Sequence, residues 1–225
     1  MSGDEGWKSP FVYSRLIICE GPDDCAFFNR FITVRGLLRC HVRHTGMGRH
    51  SAGGNTQFHE ALRTARMNTE FSKIKRILLV SDNDNNPEKS FKNIQKQITA
   101  ADFGTPPTAD LARGAGNPWI MIMMIPLGGA IGTLESFCLQ AARNKHIPTH
   151  NKIEHFATDV GAHNWDDIRS NKMKLRTSLA VRCERDPFIS LQNVFGDPRY
   201  RASDLIPLMD NSFSPLEMAL REFAR

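Results

Sequence analysis

The sequence predicts an α/β fold: a four-stranded, mainly parallel sheet flanked by helices, with a helical extension at its C-terminal side. Three observations carry this. Apolar runs of strand length alternate with amphipathic segments of helical period. The strand candidates are near-continuous apolar runs, as expected for strands covered on both faces. From about residue 133 such runs cease, and helices with short loops take over.

The run RLIIC at 15–19 reads as a strand that Glu20-Gly21-Pro22 breaks. Pro22 suits the first turn of a helix, and Asp23 and Asp24 suit its positive end. Phe27, Phe28, Phe31 and Ile32 then recur at helical spacing, which predicts a helix over 22–34. LLRCHVRH at 37–44 reads as the second strand. The following TGMGRHSAGGN, 45–55, has four glycines and no periodicity, hence a loop. Phe58, Leu62 and Ala65 predict a helix over 56–69. The third strand is 76–81, and Phe91, Ile94 and Ile98 predict a helix over 87–101. A Pro/Gly-rich connection at 102–118 leads to the fourth strand, 119–125. Right-handed crossovers would align the carboxyl ends of all four strands along one edge.

Beyond the sheet, Leu134, Phe137, Cys138 and Ala141 mark a helix over 133–143, and Leu175, Leu179 and Cys183 one over 171–185. The last helix opens on Ser214-Pro215-Leu216-Glu217, the pattern of a capping box with Pro at the first helical position. Residues 1–145 are therefore assigned to the α/β domain, and 146–225 to a helical extension packed on it or belonging to it.

Composition bounds the function. The chain of 225 residues is 40% hydrophobic and 24% charged, an ordinary globular balance. No apolar run approaches the roughly 18 residues that span a bilayer. The polar, acidic N-terminus is unlike a signal peptide. Cys19, Cys25, Cys40, Cys138 and Cys183 form no metal-type spacing and read as reduced thiols, which points to the cytoplasm. The net charge of +5 favours an anionic partner only weakly.

The chemistry concentrates in ILLVSDNDNN, residues 77–86, where an apolar strand runs into Asp82 and Asp84. Ligands of open α/β sheets bind at the carboxyl ends of strands. Glu20 and Asp24 follow strand one on the same edge. Carboxylates gathered there repel one another unless protonated or ligated, and a hard cation with oxygen ligands, Mg²⁺ or Mn²⁺, suits them. An EF-hand is excluded, because Pro87 and Asn93 occupy the places of its glycine and its last glutamate. A dehalogenase-type phosphatase would carry its motif on the first strand, with Thr or Val where Asn86 stands. A sugar transferase using Asp-x-Asp has no need of Glu20.

LIICEGPDDCAFF followed by ILLVSDNDNN resembles the Toprim domain, shared by topoisomerases, primases, small RNA-processing nucleases and the OLD nucleases. IPLGGAIGTLESF at 125–137, KMKLRTSLA at 172–180 and the terminal pattern at 213–223 further resemble DUF3226, an uncharacterised Toprim-like family related to the OLD nucleases. The resemblance implies Glu20 as general acid/base or metal ligand, and Asp82 and Asp84 as ligands of Mg²⁺. Asp24 and Glu135 match a second metal position, although Glu135 equally reads as a first-turn helix residue. Lys174 corresponds to a lysine near the scissile phosphate, or else is a solvated helix lysine. Backbone amides of the loop with Gly46, Gly48 and Arg49 could cradle a phosphate, or the segment is simply a flexible surface loop. No base-stacking platform is legible in the scattered tryptophans.

The expected function is Mg²⁺-dependent phosphodiester cleavage, as a nuclease on DNA or RNA. One alternative is a catalytically weak module that binds nucleic acid or nucleotide in a larger assembly, such as a phage-defence system with a separate ATPase. Another is nucleotidyl or phosphoryl transfer to a small molecule. Nucleic acid is the expected partner, no membrane is involved, and a homo-oligomer is compatible with the sequence.

Overall fold

The computed structural model describes residues 7–37, 39–46, 53–200 and 202–225. Four strands form one sheet: β1 (Arg15–Cys19), β2 (His41–His44), β3 (Arg76–Asp82) and β4 (Trp119–Ile125). Their order is β2-β1-β3-β4, and every pairing is parallel. The helices are α1 (Pro22–Val34), α2 (Phe58–Met67), α3 (Pro87–Ala100), α4 (Leu134–Lys145), α5 (Ile147–Asp159), α6 (Asp167–Arg182), α7 (Leu191–Gly196), α8 (Ala202–Leu205) and α9 (Ser214–Ala224).

The two-residue period of a strand splits the apolar runs between two cores. Ile17, Cys19, Leu78, Val80, Met121 and Met123 face one side, where they meet Phe27, Phe28 and Phe31 of α1. The same cluster continues through α4 and α6 to Phe213, Leu216 and Phe223 at the C-terminal helix. Leu16, Ile18, Ile77, Leu79, Ile120 and Ile122 face the other side, covered by Phe58 and Leu62 of α2 and Ile94 and Ile98 of α3. Trp7, Phe11 and Phe103 close that second cluster. The sheet therefore carries a thin cover on one face and a thick helical one on the other.

Several elements depart from the sequence reading. The second strand covers only 41–44 of the predicted 37–44. His41 is buried, and its Nε2 accepts the amides of Val12 (2.9 Å) and Tyr13 (3.0 Å). Desolvation, then the charge of Arg43, pushes its pKa down to about 4, so the ring stays a neutral acceptor. Helix α5 has no counterpart among the sequence-derived helices, and α6 begins at Asp167, four residues before the predicted 171, on the Asp166 cap.

The capping box expected at Ser214 does not form. A 3-10 turn, Asn211–Phe213, runs straight into α9, so Ser214 is already helical. Glu217 instead pairs with Arg35 (2.5 Å) and Arg221 (2.7 Å). Arg35 also donates to the carbonyls of Leu208 and Asp210, which ties the end of α1 to the C-terminal helix.

All five cysteines are free, and Cys19, Cys138 and Cys183 are buried. Among the described residues no helix is long and apolar enough to cross a membrane.

Candidate functional site

β1 and β3 are direct neighbours, with Cys19 level with Val80. Glu20 thus leaves β1 opposite the end of β3, and its carboxylate crosses to it. Glu20 Oε1 accepts from Ser81 Oγ and from the Asp82 amide, the latter at 3.1 Å. The backbone of Glu20 is held as firmly. Its carbonyl accepts from Thr45 Oγ1 (2.7 Å) and from the Gly54 amide (3.1 Å). Gly53 makes this approach possible, because a Cβ on it would lie 2.1 Å from the Glu20 carbonyl oxygen, and its φ is +80°.

Asp24 sits in the first turn of α1, where Oδ2 accepts the Gly21 amide at 2.9 Å and fixes the turn that follows Glu20. Strand alternation sends Asp82 to the face of Leu78 and Val80, the side on which α1 and α4 lie. There Asp82 Oδ1 accepts the amide of Leu134, the first residue of α4, at 3.0 Å. Glu135, also in the first turn of α4, faces Lys172 of α6, with Nζ 3.7 Å from Oε1.

Electrostatics shows that these carboxyls share one environment. The Asp82 carboxyl is held well above its ordinary pKa, first by desolvation, then by Asp24, Glu20 and Glu135, against the pull of the Leu134 amide. Asp24 is raised to about 7 by burial, opposed by the Gly21 amide and reinforced by Glu20 and Glu135. Glu20 is raised by burial and by Asp84, against its bonds to Ser81 and Asp82 and the charge of Lys172.

Asp84 lies at the margin of this pocket, where its charge raises Glu20. Its backbone turns left-handed, φ 51°, and it pairs both ways with Gly132, at 3.0 and 3.1 Å. Gly132 needs its own freedom there, at φ +144° and with Ser136 and Pro126 where a Cβ would go. The Asp84 carboxylate accepts from Asn55 Nδ2 at 3.3 Å. Between the two aspartates, Asn83 is fully buried, and its Nδ2 donates to the carbonyls of Pro126 (2.6 Å) and Ala130 (2.7 Å). Asn83 therefore clamps the loop after β4 onto the end of β3.

Lys174 is not beside the carboxylates. It lies on α6 in an ion pair with Glu154, at 2.6 Å. A helix turns about 100° per residue, so two residues separate roughly opposite sides; Lys172 is the lysine at the cluster. Gly46 is buried beside Gly53. Gly48 and Arg49 lie outside the described residues.

Sequence reasoning missed Ser81, Asn83, Asn55 and Lys172. Asn83 read as filler between two aspartates. Its only signal was position, since the residue after Asp82 in a strand covered on both faces turns to the opposite face.

Among the described residues no group of three or more His, Cys, Asp or Glu is arranged to hold a metal ion. The carboxylates are gathered without closing into a cage. The chemistry of the set still fits a hard divalent cation: the donors are all oxygen, and their mutual repulsion is relieved by a proton or by a cation. A model of the family described as a protein of unknown function, DUF3226, matches residues 14–190. No curated protein and no solved structure matches the chain.

Proposed function

The chain belongs to the DUF3226 family, and we propose that it is a divalent-cation-dependent phosphodiester-cleaving protein with a Toprim-type site, acting on DNA or RNA as a nuclease. One observation carries the reading. Carboxylates from β1, α1, β3 and α4 meet at one edge of a parallel sheet closely enough for Asp24, Glu20 and Glu135 all to act on Asp82.

Asp82, Asp84, Glu20, Asp24 and Glu135 are the residues from which Mg²⁺ or Mn²⁺ would be held, with water completing a shell that no three of them close by themselves. A bound cation would supply charge neutralisation on the phosphoryl oxygens and orient the attacking water. The chain's own residues do the rest. Glu20, raised by burial and bonded to Ser81 and the Asp82 amide, would take a proton from that water. Lys172 brings a positive charge to the same pocket, where it would favour a phosphate oxygen. The Leu134 amide keeps Asp82 oriented from the positive end of α4.

The open arrangement of the carboxylates favours a second reading, a module that binds nucleic acid or nucleotide without cleaving it, within a larger assembly. One assay separates them. Purified protein is incubated with single-stranded DNA, duplex DNA and RNA in Mg²⁺ or Mn²⁺, beside the Asp82→Ala/Asp84→Ala variant. Cation-dependent cleavage that the variant lacks supports the nuclease. Binding without cleavage by the wild type supports the module, and cleavage that survives both substitutions places the chemistry elsewhere. Turnover of free nucleotides with intact polymers would indicate phosphoryl transfer to small molecules instead.

A further inference from the structure

A groove of about 870 Å³ opens from Asp84 along α3, with Asn55 on one wall and Ile168 of α6 on another. Its floor carries Lys89, Lys92 and Lys96. These lie at i, i+3 and i+7, one face of a helix, and span about 10.5 Å of helix axis. Glu88 neutralises Lys92 at 2.5 Å. Lys89 and Lys96 are exposed and have no ion pair among the described residues. The remaining lining is neutral and polar, chiefly the amides of Asn55, Asn85, Asn86 and Asn93.

We infer that this groove binds the sugar-phosphate backbone of a nucleic-acid strand beside Asp84, at the margin of the carboxylate pocket. The inference rests on the reading of that pocket as a phosphodiester site and adds the path of the substrate. Three features select this ligand. The two free ammonium groups require an anion. Their separation along α3 is close to the axial rise of about three nucleotide steps, so a chain of phosphates fits better than a single one. Among the described residues no aromatic side chain lines the groove, so they offer bases no stacking platform of the kind found in base-reading single-strand sites. Contact is thus with the backbone, with amide donors and acceptors available to sugar and phosphate oxygens, and it is independent of sequence.

The test is fluorescence anisotropy in EDTA, which removes cleavage from the measurement. A labelled mixed-sequence single strand and its duplex are titrated between 50 and 200 mM salt (about the range over which phosphate contacts are resolved). Each lysine that meets a phosphate contributes about one unit to the slope of log Kd against log salt. The Lys89→Ala/Lys96→Ala variant should lose about two units of slope on the preferred form and bind all sequences equally less well. Lys73→Ala/Lys75→Ala, at the opposite end of β3, should leave the slope unchanged. Both lysines of the test pair are exposed, and matching thermal melts confirm that the fold is kept. An unchanged slope in the Lys89/Lys96 variant, an equal loss in the Lys73/Lys75 control, or no wild-type binding overturns the groove. Cleavage assayed in parallel keeps the two readings apart. Lysine-dependent binding with no cleavage in any cation upholds the groove and overturns the nuclease. Cation-dependent cleavage with lysine-independent binding does the reverse.

Discussion

Asp82 and Asp84 are one residue apart, both half-buried, and turned to different neighbours. Asp82 sits on the regular strand and follows its alternation inward, against the first turn of α4 and beside three other carboxyls. Asp84 has left the strand through a left-handed turn and looks across to Asn55 at the mouth of an open, lysine-bearing groove. The same side chain sits among other carboxyls in one place and faces an open groove in the other. Residue type therefore says little about role; the backbone conformation just before it says more.

The comparison is broken most severely at its interior end. In cleavage assays with Mn²⁺, Asp82→Asn should reduce the rate by at least about 10²-fold, the scale of removing one electrostatic group from a reaction site, while binding in EDTA is kept or improved. A variant with wild-type rates would remove Asp82 from the chemistry. Next comes the divider. Asn83→Ala strands the carbonyls of Pro126 and Ala130, which should destabilise the fold by about 2–4 kcal/mol. At roughly 2–4 °C per kcal/mol for a chain of this size, the melting temperature should drop by about 4–16 °C. A drop under about 2 °C would mean the loop after β4 is held by something else.

The two lysines of α6 sharpen the contrast further. Lys172→Ala should slow cleavage by roughly tenfold, about 1.4 kcal/mol of lost electrostatic support, and Lys174→Ala should leave the rate unchanged. Equal effects would show that position along α6 does not matter.

The smallest effect is read from pH. Asp24 has a folded pKa raised to about 7, above its unfolded value, so the native state holds a proton that the unfolded chain has released. Its contribution to stability is then full below the unfolded pKa and is lost as pH rises towards 7 and through it. His41, lowered to about 4, acts in the opposite sense, stabilising as pH rises from 4 to 6.5. Subtracting the Asp24→Asn melting curve from that of the wild type cancels the histidine. In EDTA the difference should grow against the wild type from pH 5 to 8, and millimolar Mg²⁺ or Mn²⁺ should shrink it. A flat difference would show that Asp24 is not held protonated.

The sheet was legible because its strands are doubly covered: the runs at 16–19, 77–80 and 119–125 are wholly apolar, and each is followed within two residues by Pro, Gly or Asp. The parallel, four-stranded α/β fold followed. Helix α5 was not legible, because its buried positions are His150, Ile153 and Ala157, which make no apolar stripe. The early start of α6 was hidden in the same way, since its buried face includes Ser170 and Ser178, the latter bonded to His150. At the site, the acidic letters were visible because carboxylates at strand ends are rare enough to notice. Their partners were not. Ser81, Asn83 and Lys172 owe their places to register and helical phase, and neither is fixed until the elements are packed.

Because Asn83 anchors the loop and a two-residue repeat decides inside from outside, the order of letters in Asp-Asn-Asp is a mechanical specification. Exchanging Asp82 with Asn83 would keep composition and charge identical, yet would bury an acid where an amide now bridges two carbonyls. A redesign of this segment therefore has freedom in what surrounds the triplet and almost none in its spelling.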